Sequence, residues 1–349
     1  MKRTAGRAGA ARILLCMLLA VCLSAAGCGK AASPEKVMKN AVGYLHAAGG
    51  LDDDESLTAA AYYKAGDSLS DWVLITALEA GDDTLDTQKY LQELQAYVEK
   101  AYAENGGLDS FRATEWHRTI LAVCACGGDP TAFGTGPDGQ PIDLVRDGIW
   151  DWDRSSSLDE QGSNALIYAL LALQASGAEP AADAAWSTDR ILARLLSYQA
   201  DDGGFGLVDA SSDNDMTGMA LHALGPYADR QVTLEDGTPV TVADSIGRAE
   251  DWLAGQQARG GYYLSEKHYS AETLSQIILG LCACGVDPGS DERFRKAGGS
   301  AEDALLSFQN KDGGFASTFA GSGDLEESEL MPTYQALSAL AALRDLRKK

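Results

Sequence analysis

Residues 198–224 read YQADDGGFGLVDASSDNDMTGMALHAL. A helix ends at Tyr198-Gln199, and Gly203-Gly204 then turns the chain, because glycine adopts turn conformations at no steric cost. A polar loop follows. Asp213-Asn214-Asp215 opens a second helix rich in Ala, Met and Leu. Asp and Asn are preferred helix caps, and acids in the first turn favour the helix dipole. The stretch therefore reads as helix, turn, helix. Its acidic step is a cap, a metal site or a catalytic acid, and the rest of the chain decides between them.

The pattern repeats. Gly-Gly followed by Leu or an aromatic occurs at Gly106-Gly107-Leu108, Gly203-Gly204-Phe205, Gly260-Gly261-Tyr262 and Gly313-Gly314-Phe315. In the last three, Gln199, Gln256 and Gln309 stand four residues before the first Gly. Each step leads into an apolar helix, and six such helices align at 70–83, 114–130, 163–180, 214–229, 271–288 and 332–345. A more amphipathic helix precedes each, near 34–48, 87–103, 141–150, 186–199, 243–257 and 300–310. A helix that is apolar all round must be buried. Six hairpins with apolar helices inside and amphipathic ones outside close into an all-α α6/α6 barrel, an α/α toroid over residues 33–349. Insertions at Pro137-Asp138-Gly139 and Glu235-Asp236-Gly237 carry turn signals for short hairpins. An open solenoid of stacked pairs is the competing arrangement.

Composition narrows the function. The net charge is −23 over 349 residues, which excludes a nucleic-acid partner that needs a basic face. Residues 1–27 read as a lipoprotein signal peptide. Lys2, Arg3, Arg7 and Arg12 precede an apolar run from Ile13 to Leu23, too short to span a bilayer. Ala25-Ala26-Gly27-Cys28 resembles the bacterial lipobox, which implies lipidation of Cys28, a short tether over 28–32 and a membrane-anchored, extracytoplasmic location. Cys124/Cys126 and Cys282/Cys284 lie two residues apart in helices and so point away from each other. They read as buried thiols rather than disulfides or metal ligands.

The Gln-x-x-Asp-Gly-Gly-Phe elements at Gln199–Phe205 and Gln309–Phe315 resemble the repeat of squalene–hopene cyclases and protein prenyltransferases. That toroid is shared with the cobalamin carriers intrinsic factor and transcobalamin. The resemblance implies the toroid fold more strongly than any one activity. In class II terpene cyclases an Asp-x-Asp-Asp-Thr-Ala segment opens an inner helix, and its middle Asp protonates an alkene. Asp213-Asn214-Asp215-Met216-Thr217 matches in part: Asp215 holds the donor position, but Met216 replaces the next Asp. Such cyclases are expected to need a second helical domain, which this chain lacks. Asp71, Glu115, Asn164 and Glu272 stand at similar helix starts, which favours capping over catalysis for Asp213 and Asp215. The prenyltransferase zinc pattern is missing around His46, His117, His222 and His268, so no metal and no cofactor is expected.

One feature remains. The N-termini of the inner helices are expected to bring Trp72, Trp116, His117, Asp215, Met216, Glu272, Gln276 and Tyr334 to one mouth of the ring. Convergent aromatic and polar side chains on a concavity mark a pocket, although Trp72 and Trp116 would equally serve as plugs. The first expectation is a non-catalytic module that binds a small apolar or corrinoid-like ligand, or a surface protein. The alternative is a terpene cyclase- or prenyltransferase-like enzyme with Asp215 as its acid.

Overall fold

The computed structural model describes residues 33–154, 156–265, 267–320 and 323–349. The signal peptide, Cys28 and the tether lie outside them. Contacts divide the chain into Met1–Lys36 and Val37–Lys349, and the second unit carries the fold. No helix among the described residues is long and apolar enough to cross a membrane.

Six inner helices form: α2 (Ser68–Ala80), α4 (Ala113–Ala125), α5 (Ser163–Ser176), α7 (Asn214–Leu224), α9 (Ala271–Ala283) and α11 (Leu330–Leu346). Each packs on the next in chain order, and α11 packs back on α2. That last contact separates a ring from a solenoid. It is held by Arg344, whose guanidinium donates to the carbonyls of Ala80 and Glu79 at 2.9 and 2.7 Å. The α7–α9 contact is the tightest. A Cβ on Gly280 would stand 2.2 Å from the Gly218 carbonyl oxygen, so only glycine lets these backbones meet.

The outer layer holds α1 (Pro34–Ala48), α3 (Thr87–Asn105), α6 (Thr188–Leu196), α8 (Val242–Gln256) and α10 (Ala301–Leu306). The helix expected at 141–150 is not there. A single π-helical turn, Arg146–Trp150, replaces it. It presses Gly148 so close to α4 that a Cβ there would lie 2.8 Å from the Cβ of Trp116. Both expected insertions form hairpins: β1 (Gln231–Thr233) pairs with β2 (Pro239–Thr241), and Thr135 bridges Pro141. Shorter hairpins, β3–β4 (Leu264–Ser265, His268–Tyr269) and β7–β8 (Phe315–Ala316, Ser328–Glu329), cover the N-terminal ends of inner helices. A further pair, β5–β6 (Arg295–Lys296, Gly299–Ser300), leads into α10.

The Gly-Gly steps tie neighbouring hairpins together. Gln199 donates to the carbonyls of Gly203 and Ser245, each at 2.8 Å, and Gln309 to those of Gly313 and Val37, each at 2.9 Å. The second bond of Gln309 joins the last repeat to the first. The middle repeat corrects the sequence alignment by one residue. Gln257, not Gln256, reaches its glycine, donating to the Gly261 carbonyl at 3.3 Å. The fully buried aromatic there is Tyr263, in the place of Phe205 and Phe315. Adjacent Gln-Gln and Tyr-Tyr pairs hide this register in the sequence.

Cys124, Cys126, Cys282 and Cys284 are free thiols. Burial pushes Cys124 up to about 11 and the other three to about 12, so they stay protonated and unreactive.

Candidate functional site: an axial cavity and an acidic rim

The inner helices do not fill the ring. A cavity of about 400 Å³ runs along its axis, and all six contribute to it. Helical spacing sets the lining. On α7, Met219 and His222 face inward; on α9, Gln276 and Leu279; on α2, Trp72, Ile75, Thr76 and Glu79. Residues three, four or seven apart share one helix face. Tyr168 from α5 lies with its ring centroid 5.6 Å from that of Trp72. Tyr334 joins them from α11. These three aromatics narrow the N-terminal end of the cavity.

The opening lies at the other end. Glu79, Gln174 and Ala175, near the C-termini of α2 and α5, line the cavity and are exposed. This reverses the expected mouth. Bulk explains it: Trp, Tyr and Tyr occupy one end, while an alanine leaves room at the other.

Three of the expected pocket residues, Trp72, Gln276 and Tyr334, line this cavity, and five do not. Trp116 is fully buried in the wall, donates to the Asp109 carbonyl at 2.9 Å, and carries Arg154 over its ring at 4.4 Å. His117 is fully buried behind it and donates through Nε2 to the Gly148 carbonyl at 3.1 Å. Met216 is buried on α7. Asp215 and Glu272 sit in the first turns of α7 and α9, one turn above Met219 and Gln276. They form a rim above the cavity rather than its lining.

The acidic step of the opening stretch now resolves. Asp213 is the N-cap of α7 and accepts from the Met216 amide at 3.0 Å. Asn214 donates to the Leu264 carbonyl at 2.8 Å. Asp215 accepts from the Ser265 hydroxyl at 3.2 Å on Oδ2, and the Thr273 hydroxyl on α9 also favours its ionised form. Burial holds its carboxyl above the usual range, and Asp213 adds to the rise. Glu272 is similar: Oε1 accepts from Ser317 at 2.8 Å, Oε2 is unpartnered, and burial raises it.

Capping explains fewer of these acids than the sequence suggested. The side-chain caps of α2 and α9 are Asp67 and Ser270, and α4, α5 and α11 have none. Asp71 is instead a buried structural anion. It accepts from Arg118 Nε at 2.9 Å and from the Tyr90 hydroxyl at 2.6 Å, joining α2, α3 and α4.

The cavity also holds residues not expected from the sequence. His222 faces it from α7. Burial lowers its imidazole to about 4, so it is neutral at physiological pH. Tyr168, Glu79, Gln335 and Ser338 were missed too. The available signal was spacing, since Asp215, Met219 and His222 follow an i, i+4, i+7 stripe. The residue types alone look like ordinary members of buried helices.

Comparison with solved structures places this geometry. The apo structure of a type II terpene cyclase from Scytonema, MstE, superposes with a TM-score of 0.54 at 12% identity. The match covers 90% of this chain and 98% of that one. An MstE variant in complex with geranylgeranyl dihydroxybenzoate, its substrate, gives a TM-score of 0.53 at 12% identity over the same shares. The chain has a terpene-cyclase-like fold. The one barrel thus spans nearly the whole length of that cyclase's chain. No protein-family model matches the chain, and a search of curated proteins finds no match.

Proposed function

We propose that this protein binds one small, mostly apolar molecule in the axial cavity, without transforming it. The cavity carries this reading. Its volume of about 400 Å³ lies within the range of small-molecule sites, roughly 300–1,000 Å³. Its wall is mainly apolar and aromatic, and its opening faces solvent. A corrinoid macrocycle is too large to enter and would have to lie across the opening, held there by a partner. The lipobox resemblance at Cys28 adds a second element to the proposal: the toroid works at the outer face of a membrane, held by its lipidated N-terminus. Native mass spectrometry of protein purified from its own envelope tests both parts. A copurifying small molecule and a diacylated Cys28 are expected. A clean apo mass would remove the ligand reading in favour of a scaffold that engages a protein partner, and an unmodified N-terminus would remove the anchor.

One observation favours a second reading. Asp215 is a half-buried acid whose carboxyl burial raises above the usual range, one turn from the cavity, in a fold shared with a single-barrel type II cyclase. Protonating an alkene demands such an acid in a dry site. Asp215 lies outside the cavity lining, so the reading ranks second. Incubation with a prenylated arene decides it. Cyclised product that disappears in Asp215→Asn, with folding retained, would establish catalysis; no product from the parent protein would end that reading.

A further inference from the structure

The charge pattern of the cavity deepens the binding reading and rests on it. No Lys or Arg lines the wall. His222, the one basic group there, is held neutral by burial. The only acidic side chain on the wall is Glu79, at the open end, where desolvation raises its carboxyl above the usual range. Its carboxylate accepts from the Ser338 hydroxyl. The nearest guanidinium, Arg344, gives its side-chain charge to Asp345, at 2.9 and 3.1 Å, and otherwise donates to main-chain carbonyls. Arg344 favours the ionised form of Glu79 only at a distance, and Asp345 opposes it. An anionic ligand would therefore enter a wall lined by no Lys or Arg, next to an acid that repels it when ionised. A cationic ligand would favour the ionised form of Glu79 and give it a direct partner.

The dimensions are equally definite. Glu79 and Trp72 lie seven residues apart on one face of α2, which is about 10 Å along the axis. Between them the wall is Ile75, Leu171, Leu279 and Met219, and the inner end is the aromatic group of Trp72, Tyr168 and Tyr334. We infer that the cavity selects an organic cation, an alkyl amine or quaternary ammonium. Its head lies against Glu79 at the opening, and its apolar body of about 10 Å reaches the aromatic end.

Three probes with the same body test this: octyltrimethylammonium, octanol and octanoate, titrated calorimetrically into the full barrel below their micellar concentrations. The ammonium is expected to bind about ten-fold more tightly than the alcohol, since one charge-assisted contact at a half-exposed site is worth about that factor. Octanoate is expected to bind weakest. Glu79→Gln should erase the advantage of the ammonium over the alcohol, and a thermal melt of the variant shows that it is folded. Ala175→Trp, which narrows the opening, should weaken all three. Equal binding of ammonium and alcohol, or a preference that survives Glu79→Gln, would overturn cation selection and leave the binding reading intact. No binding of any probe would overturn both.

Discussion

At the residue scale, buried ionisable groups give the protein a defined response to acid. His117 is fully buried, and burial lowers it to about 4. The unfolded chain binds a proton near the ordinary histidine value, and the folded chain refuses it. The contribution of His117 is therefore complete above about pH 6.5 and is lost as pH falls towards 4, by roughly 3 kcal/mol. Asp215 and Glu272 act in the opposite sense, because their raised values let the folded state take up protons first. Thermal melts of the parent and His117→Gln from pH 7 to pH 4 separate the two. The parent's advantage should shrink steadily with acid, and a constant difference would mean that His117 is not a buried neutral group. Asp213 shows how much such detail the sequence carries. Its cap role follows from residue type and position alone. The distinct state of Asp215 does not, since it depends on the β3–β4 hairpin laid over it from fifty residues away.

At the scale of elements, the apolar helices were legible because Ala and Leu fill them all round and glycine stops them. All six formed within a few residues of the expected bounds. The failure at 141–150 has a local cause. Gly148 must touch Trp116, and a regular outer helix would hold it away. Which inner helices touch most closely was not readable from periodicity, but it is fixed by two glycines. Gly280→Val should force α7 and α9 apart. A cost of about 3 kcal/mol is expected, at the upper end of overpacking substitutions. Chemical denaturation measures it. A loss below about 1 kcal/mol would show that the two helices can separate freely. The same change would shift Gln276 and Met219, so weaker binding of octanol should accompany it.

At the scale of the molecule, the count of six predicted closure but not the direction of the opening. Direction depends on side-chain volumes at the two ends, where Trp72, Tyr168 and Tyr334 oppose Ala175. Closure itself is testable. Removing Leu330–Lys349 deletes α11 and bares the apolar faces of α2 and α9. A solenoid shortened by one terminal unit keeps the rest of its structure. A ring opened in this way should lose cooperative unfolding altogether and bind a hydrophobic dye. A truncated chain that still melts in one sharp transition would show that α11 is an accessory rather than a wall.

The contact between α2 and α11 has a consequence for biosynthesis. It joins segments some 260 residues apart, and such distant pairings make folding slow. While the ribosome is still working, five walls exist and the sixth does not. The nascent chain must hold a large greasy groove open to its surroundings until the final helix emerges. Its most vulnerable moment therefore falls just before α11 joins the ring, when a holdase chaperone would have the most surface to cover.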